Sequence, residues 1–358
     1  MKRFFVFLGV VFMTIGSAVR AQEVDSTAPL QKSSWGDAKT ADMTDYIPDI
    51  SLDMRGGYRQ DFAESAGRFY GDGLYLDING KISPHFSYSL NQRLASSYYE
   101  DNSGFAGTNW LTLTYEVGSF AFTAGKDALL VGSFEYDAYD LDTYYDMNSQ
   151  FYNMLDCWQW GVSAAWYPSD SHEVIIQAAN SPFSYGEPNL FAYAAAWRGY
   201  WDCYESYWTV NMWQFDRGRY VKALNLGNRF YVGDFTIDLD YTTRCKDLKT
   251  VFTRDFSLIL SPAYEWEWGR AFAKVGWEKI SEDTYIGLAD PAEMDGGHNL
   301  FYGVGAEFFP AKSYKDIRIH AMWASNSHLT CGHYLNIGLT WKLNLTQAGK
   351  YIFTKLKK

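Results

Sequence analysis

The sequence predicts an all-β fold, a transmembrane antiparallel β-barrel of about 16 strands with short periplasmic turns and longer extracellular loops. The stretch from His333 to Leu345 has an apolar residue at every second position, the period of a strand with one face in lipid and one in water. Similar two-faced segments of about ten residues recur along the chain. The N-terminal residues, in addition, predict export from the cytoplasm.

The composition supports a barrel. Aromatic residues make up 18% of the chain, yet the mean hydropathy is −0.28, as in many soluble proteins. A barrel reconciles these values, because half of each strand faces lipid, half faces water, and aromatic rings gather at the two membrane interfaces. A secreted β-sandwich or carbohydrate-binding domain is the alternative, but long two-faced strands without helical segments favour the barrel.

The chain divides into four predicted parts. Lys2 and Arg3, an apolar run over residues 4–15 and the small-residue site at 19–21 predict a signal peptide, residues 1–21, cleaved after Ala21. Residues 22–47 form a flexible periplasmic leader, residues 48–345 the barrel, and residues 346–358 a basic periplasmic tail. After the signal peptide no apolar run reaches the roughly 18 residues of a transmembrane helix. The predicted location is the bacterial outer membrane.

The predicted strands follow one another in chain order, each recognised by alternating apolar positions. They centre on residues 50–54, 74–82, 86–90, 111–117, 120–124, 160–166, 174–178, 191–197, 206–212, 221–230, 235–241, 256–260, 271–277, 300–308, 317–323 and 333–345. Short turn signals such as Ser83-Pro84 and Gly118-Ser119 separate some pairs. With the N-terminus in the periplasm, the long connections 92–108, 127–156, 243–255 and 281–298 all fall on the outer side.

Several phrases of the sequence resemble the porin family of Bacteroides-type outer membranes, distantly like the phosphate-selective porins. They are GLYLDINGKISPHFSYSLNQRL (73–94), FTAGKD (122–127), WGVSAAWYP (160–168), NLGNRF (225–230) and DFTIDLDYTTR (234–244). The resemblance implies passive transport of small hydrophilic solutes, with a homotrimer as one expected assembly. The last strand also resembles the signal read by the barrel-assembly machinery, through Asn336, Gly338, Trp341 and Leu343.

Charged residues on the strand faces turned away from lipid are candidate pore-lining residues. Arg55, Arg59, Lys81, Arg318 and Lys342, with His320, belong to strands that become neighbours when the barrel closes, so we expect a basic wall. Glu116, Asp238 and Asp240 are acidic candidates, and Asp77, Glu278 and Glu307 share their pattern. Walls of opposite charge would orient dipolar solutes, although any water-filled lumen is lined by solvated polar groups.

The connection from Asp127 to Asp156, called the third loop here, is acidic and contains no Lys or Arg. Its apolar and aromatic content exceeds that of an ordinary exposed loop, which favours an inward fold that narrows the barrel. The candidate constriction residues are Glu135, Asp137, Asp140, Asp142 and Asp146. Such a loop predicts a weak preference for cations. The alternative is an acidic outer surface that contacts lipopolysaccharide, together with the acidic loop 281–298.

Four cysteines allow three pairings in an oxidising compartment, and Cys331 could pair with Cys245 or Cys157. Cys203 is predicted on the periplasmic side, out of reach of these three. His328, Cys331 and His333 have a spacing that zinc can use, which is a weaker alternative.

The function classes that remain are few. The net charge of −11 becomes −14 once a signal peptide with three basic residues is removed, and an acidic balance argues against nucleic-acid binding. No catalytic constellation stands out, so we expect no enzyme and no cofactor. A diffusion channel for small solutes and ions is the leading hypothesis. A plugged surface barrel acting as an adhesin or structural protein is the alternative.

Overall fold

The computed structural model describes residues 46–94, 105, 107–138, 142–184, 189–280, 297–311, 315–326 and 332–349. Sixteen antiparallel strands form one closed barrel in which each strand pairs with its neighbours in sequence and the last pairs with the first. The predicted fold class and strand count are therefore confirmed.

The strands carry the labels β1 to β16 in chain order. Their bounds are β1 Asp49–Asp61, β2 Ala66–Ser83, β3 Phe86–Arg93, β4 Thr108–Val117, β5 Phe120–Ala128, β6 Trp158–Ser169, β7 His172–Asn180, β8 Phe191–Trp201, β9 Tyr204–Asp216, β10 Arg219–Val232, β11 Phe235–Arg244, β12 Asp255–Trp266, β13 Gly269–Ile280, β14 Gly297–Phe308, β15 Ile317–Asn326 and β16 Gly332–Asn344. Two short helices lie between β5 and β6, α1 Phe134–Asp137 and α2 Gln150–Met154, with a 3-10 turn Tyr145–Met147 between them. A second 3-10 turn, Leu248–Thr250, precedes β12.

The two faces of the sheet differ as the sequence predicts. Outward positions carry large apolar side chains that are strongly exposed, for example Val162, Ile176, Val210 and Val304 at 54–59%. Inward positions carry buried polar residues, for example Asn91 and Asn225 at 0%. This arrangement is the reverse of a water-soluble protein, and it suits a barrel with lipid outside and polar groups inside.

The strands turn tightly at one end of the barrel. Gly118 and Gly233 sit in two of these turns with φ of +56° and +61°, a conformation that glycine adopts without the strain a Cβ would cause. At the opposite end most connections are longer, although β9 and β10 are joined through Arg217 and Gly218 alone. No helix among the described residues is long and apolar enough to cross a membrane.

The barrel closes where β1 and β16 run side by side from Ser51↔Asn344 to Asp61↔Tyr334. Gly57 lies opposite Gly338, and the two backbones approach so closely that a Cβ on Gly57 would lie 2.3 Å from the carbonyl oxygen of Ile337. Residues 345–349 then form a helical turn, and Thr346 Oγ1 both accepts a hydrogen bond from Ile50 N at 3.0 Å and donates one to Pro48 O at 2.8 Å. A residue just after β16 is therefore bonded to the start of β1, which supports the closing pair.

The predicted assembly residues all lie on β16. Asn336 and Gly338 face inward, where Asn336 contacts Nε2 of His320 at 3.0 Å, whereas Trp341 faces outward and is 39% exposed. Leu343 pairs with Leu52 of β1. The close approach of the two strands favours a glycine at position 338, whether or not this residue belongs to an assembly signal. Their recognition by the assembly machinery stays a prediction.

We predict that Gly57→Ala weakens barrel closure, because the new methyl group clashes with the backbone of β16. Overpacking of this kind costs about 1–3 kcal/mol. The measurement is the temperature at which the folded, fast-migrating form converts to the unfolded form on gel electrophoresis. Gly349→Ala is the control, since a Cβ at Gly349 has no neighbour within 4 Å. Equal transition temperatures for the two variants would contradict the prediction.

Candidate functional site

In the structure the third loop joins β5 to β6, and its described residues 129–138 and 142–157 cross the inside of the barrel. Its two ends meet where Leu129 N donates to the carbonyl of Cys157 at 2.7 Å. Between them, Gly132 N donates to Thr209 Oγ1 of β9 at 2.9 Å, and the Tyr144 hydroxyl donates to Glu307 of β14 at 3.0 Å. These strands are far apart around the barrel, so a segment that touches both must pass through the lumen.

Apolar side chains bury one part of the third loop against the wall. Leu129, Val131 and Phe151 pack with Trp213 of β9 and Val221 of β10 in a cluster of buried residues. Trp213 is 0% exposed, and its ring centroid lies 5.9 Å from that of Phe151. Burying such a side chain stabilises a structure by about 1.5–3 kcal/mol. The unusual apolar content of the loop therefore has a packing role inside the barrel.

Two serines begin the short helices of the loop. The Ser133 side chain accepts a hydrogen bond from Glu135 N, and the Ser149 side chain accepts one from Tyr152 N at 3.0 Å. This is the usual N-cap chemistry of serine. Each cap fixes the direction in which the loop enters a helix, and hence the side chains that face the wall.

The acidic residues of the third loop pair with basic residues of the wall. Asp146 lies 2.9 Å from Arg59 of β1, and Asp137 lies 2.5 Å from Arg198 of β8. Glu135 lies 2.7 Å from Nζ of Lys274 on β13. Asp140 is also a predicted constriction residue, and it lies outside the described residues.

Asp142 bridges two cations of the basic wall. Its carboxylate accepts hydrogen bonds from Arg318 of β15 and, at 3.2 Å, from Lys342 of β16. Burial raises the pKa of the Asp142 carboxyl, but the charges of Arg318 and Lys342 outweigh burial and lower its pKa below the usual value. Asp142 therefore stays ionised at neutral and moderately acidic pH.

Five of the eight predicted pore-lining residues contact the third loop, four cations and Asp240. Arg55, Arg59, Arg318 and Lys342 contact the third loop; Arg55, for example, donates to the carbonyl of Thr143 at 2.7 Å. Asp240 is 2% exposed and lies beneath the loop rather than on the open lumen surface. Lys81 is exposed at the end of β2, Glu116 is half-buried, and Asp238 accepts from Arg229 Nε at 2.6 Å.

Three basic residues of the site were missed from the sequence: Arg198 of β8, Arg229 of β10 and Lys274 of β13. Their alternation with apolar neighbours places each of them on the inner face, and this signal was available. The predicted basic wall belongs to the strands that meet at the closing seam, whereas these three cations lie on other strands. All three pair with carboxylates, at 2.5, 2.6 and 2.7 Å respectively.

An open cavity of about 330 Å³ lies between the third loop and the inner face of β10–β13. The loop side includes Glu135, Asp142 and Tyr144. The wall side includes charged side chains of both signs: Arg229, Asp238, Glu265, Arg270 and Lys274. The loop therefore narrows the lumen without filling it, and opposite charges face the space that is left.

The cysteine and zinc alternatives stay predictions, because His328 and Cys331 lie outside the described residues. Cys203 is exposed in the turn between β8 and β9, at the opposite end of the barrel from Cys245. Across the part of the chain that the structure describes, no three His, Cys, Asp or Glu residues are grouped so as to hold a metal ion.

We predict that the tie between Asp142 and the basic wall is independent of pH near neutrality and is lost in acid. The pKa of Asp142 is lowered in the native state, so its contribution is fully present above the ordinary aspartate pKa of about 3.9 and disappears as pH falls through the lower native pKa. Thermal stability measured between pH 7 and pH 2 for the protein and for Asp142→Asn gives the contribution as their difference. A difference that vanishes between pH 7 and pH 5 would contradict this prediction.

Residues 50–199 match the model of the family described as phosphate-selective porin O and P. A search of curated proteins finds no significant match.

Three solved structures with a similar fold are distant in sequence. The outer membrane channel DcaP of Acinetobacter baumannii is 10% identical, with a TM-score of 0.60, covering 84% of this chain and 99% of that one. OmpT of Vibrio cholerae is 11% identical, with a TM-score of 0.57 and coverage of 85% and 99%. A mutant porin of Rh. blastica is 12% identical, with a TM-score of 0.52 and coverage of 83% and 100%.

These matches are to porins and channels rather than to enzymes, in agreement with the expectation from sequence. The chain therefore has the fold of the outer-membrane porins and is similar, over residues 50–199, to the phosphate-selective porins O and P.

Proposed function

We propose that the protein is an outer-membrane diffusion channel for small hydrophilic solutes and ions. The observation that carries this proposal is the cavity between the third loop and β10–β13, which has charged walls and lies within a closed barrel. A polar passage of this kind lets water and small solutes cross a bilayer that excludes them. The similarity to porins supports the same conclusion.

We further propose a weak preference for cations. Arg59, Arg198, Lys274 and Lys342 each lie within 3.2 Å of a third-loop carboxylate, so their charges are largely cancelled inside the lumen. The chain as a whole carries an excess of acidic groups, with a net charge of −11. The residues that line the cavity include four carboxylates and three cations, so the charge that acts on passing ions is net negative, in contrast to what a phosphate-selective pore needs.

The location, the partners and the signal peptide are also proposals. The porin fold supports an outer-membrane location, contact with lipid and lipopolysaccharide, insertion by the barrel-assembly machinery, and a homotrimer. The Bacteroides-type relationship and removal of residues 1–21 as a signal peptide rest on the sequence.

A plugged barrel acting as an adhesin or structural protein is the second candidate. The buried cluster of Leu129, Val131, Phe151 and Trp213 favours it, because these side chains occupy part of the lumen. The two functions differ in whether any solute crosses.

We predict stepwise increases of ionic current when the purified protein is added to a planar lipid bilayer. Liposomes that contain the protein should also swell in an isotonic solution of a small sugar, and larger oligosaccharides should be excluded because the loop narrows the passage. Neither current nor swelling would reject the channel and favour the plugged barrel.

We predict that the reversal potential in a KCl gradient has the sign of cation preference, and that the preference weakens at high salt as the lumen charges are screened. Asp142→Asn should reduce it, since one carboxylate at the cavity is lost and the positive charges of Arg318 and Lys342 are no longer balanced by it. Asp216→Asn is the control, because Asp216 is paired with Arg219 at the end of β9, outside the cavity lining. A clear preference for anions in the unaltered protein would contradict the proposal.

A further inference from the structure

Two wall carboxylates bind N–H and hydroxyl groups of the third loop rather than a cation. Asp240 of β11 accepts hydrogen bonds from Ser133 Oγ at 2.7 Å, Phe134 N at 3.0 Å and Glu135 N at 2.9 Å. Asp240 is only 2% exposed. The three donors belong to the N-cap and the first two residues of α1, so one carboxylate holds the start of that helix.

Glu278 of β13 does the same for the second helix. It accepts from Gln150 N at 2.7 Å, at the first residue of α2, and is 0% exposed. Ser257 Oγ at 2.7 Å and Asn299 Nδ2 at 2.8 Å donate to it from the neighbouring strands. The wall therefore fixes the carboxylate, and the carboxylate fixes the loop.

The wall behind Glu278 continues into a buried arginine. Arg244 Nη1 donates to Ser257 Oγ at 2.9 Å, and its guanidinium lies 4.3 Å from the ring centroid of Phe151 in α2. Arg244 is thereby linked to Glu278 through one hydroxyl, and it packs against the same helix. The positive charge supports the buried negative one without displacing the loop amides that Glu278 binds.

A third carboxylate joins the two helices. Glu135 in α1 accepts from Ser149 N at 2.9 Å and Ser149 Oγ at 2.5 Å, immediately before α2. The contacts therefore run without a break from Asp240 through α1, Glu135 and α2 to Glu278. Lys274 pairs with Glu135 beside the cavity, so the position of this chain of contacts also decides where the cavity wall lies.

These anchors differ physically from the ion pairs at the edge of the loop. Helices of four and five residues do not form by themselves, because nucleation is unfavourable and their first N–H groups lack partners. A buried carboxylate supplies those partners through charge-assisted hydrogen bonds. The side chains of Asp137 and Asp142 are 28% and 31% exposed, so salt screens their ion pairs far more than it screens Asp240 and Glu278.

We propose that Asp240 and Glu278 are positioning residues that fix the third loop and thereby set the width of the channel. This inference rests on the proposed function. It assigns to two wall carboxylates a role in holding the loop, rather than a direct contact with the passing solute.

The test compares Asp240→Asn and Glu278→Gln with Asp238→Asn. Asp238 is the matched control, because it lies two residues from Asp240 on the same inner face and binds Arg229 instead of the loop. Amide hydrogen exchange of the loop segment 129–157 should be roughly tenfold faster in the two anchor variants, as expected for lost bonds to a charged acceptor. It should be unchanged in the control.

The electrical readout is single-channel conductance at low and high salt. Each anchor variant should show a larger and noisier conductance at both salt concentrations, whereas Asp238→Asn should change ion preference alone. Migration of the folded form on gel electrophoresis confirms that each barrel has assembled. Glu278→Gln carries the test by itself should Asp240→Asn fail to assemble.

The outcomes separate this inference from the proposed function. An unaltered protein that does not conduct rejects the channel, while hydrogen exchange still reports on the anchors. A conducting protein whose anchor variants match Asp238→Asn in both exchange and conductance overturns the inference.

Discussion

The closed hydrogen-bonded sheet is the constraint on which the rest of this structure depends. Lipid offers no partners to backbone N–H and C=O groups, so a chain that crosses as strands must pair every strand, including the first with the last. Here β1 and β16 meet through the close approach of Gly57 and Gly338. Closure leaves each strand one face in lipid and one toward an enclosed space, and that enclosed space must be filled by water, polar side chains or a loop.

The third loop occupies this space because its charged groups are opposite in sign to the wall residues that they contact. Its carboxylates meet Arg59, Arg198, Lys274 and Arg318, while the wall carboxylates Asp240 and Glu278 meet its backbone amides. Carboxylates of the loop contact basic side chains of the wall, and backbone N–H groups of the loop donate to carboxylates of the wall. The two kinds of contact hold the loop across the lumen and leave the cavity along β10–β13 open.

This pairing weakens the electric field that the charged residues of the sequence would produce across the lumen. A basic wall suggested a transverse field across an open lumen, but Arg318 and Lys342 share Asp142, and Arg59 binds Asp146. Charges that neutralise one another at short range orient a passing dipole less than separated walls do. In the channel that we propose, selectivity then depends on the width of the remaining passage and on the net acidic excess.

The sequence by itself determined the strands, their number and the face that meets lipid, because a period of two is a local property that any ten residues reveal. It also predicted that the third loop turns inward, from apolar side chains such as Phe151 that an exposed loop would not need. Only the tertiary structure decided the partners. Ser133 and Asp240 are 107 residues apart, and Arg318 and Asp142 are 176 apart, so which carboxylate meets which donor depends on how sixteen strands close around the loop.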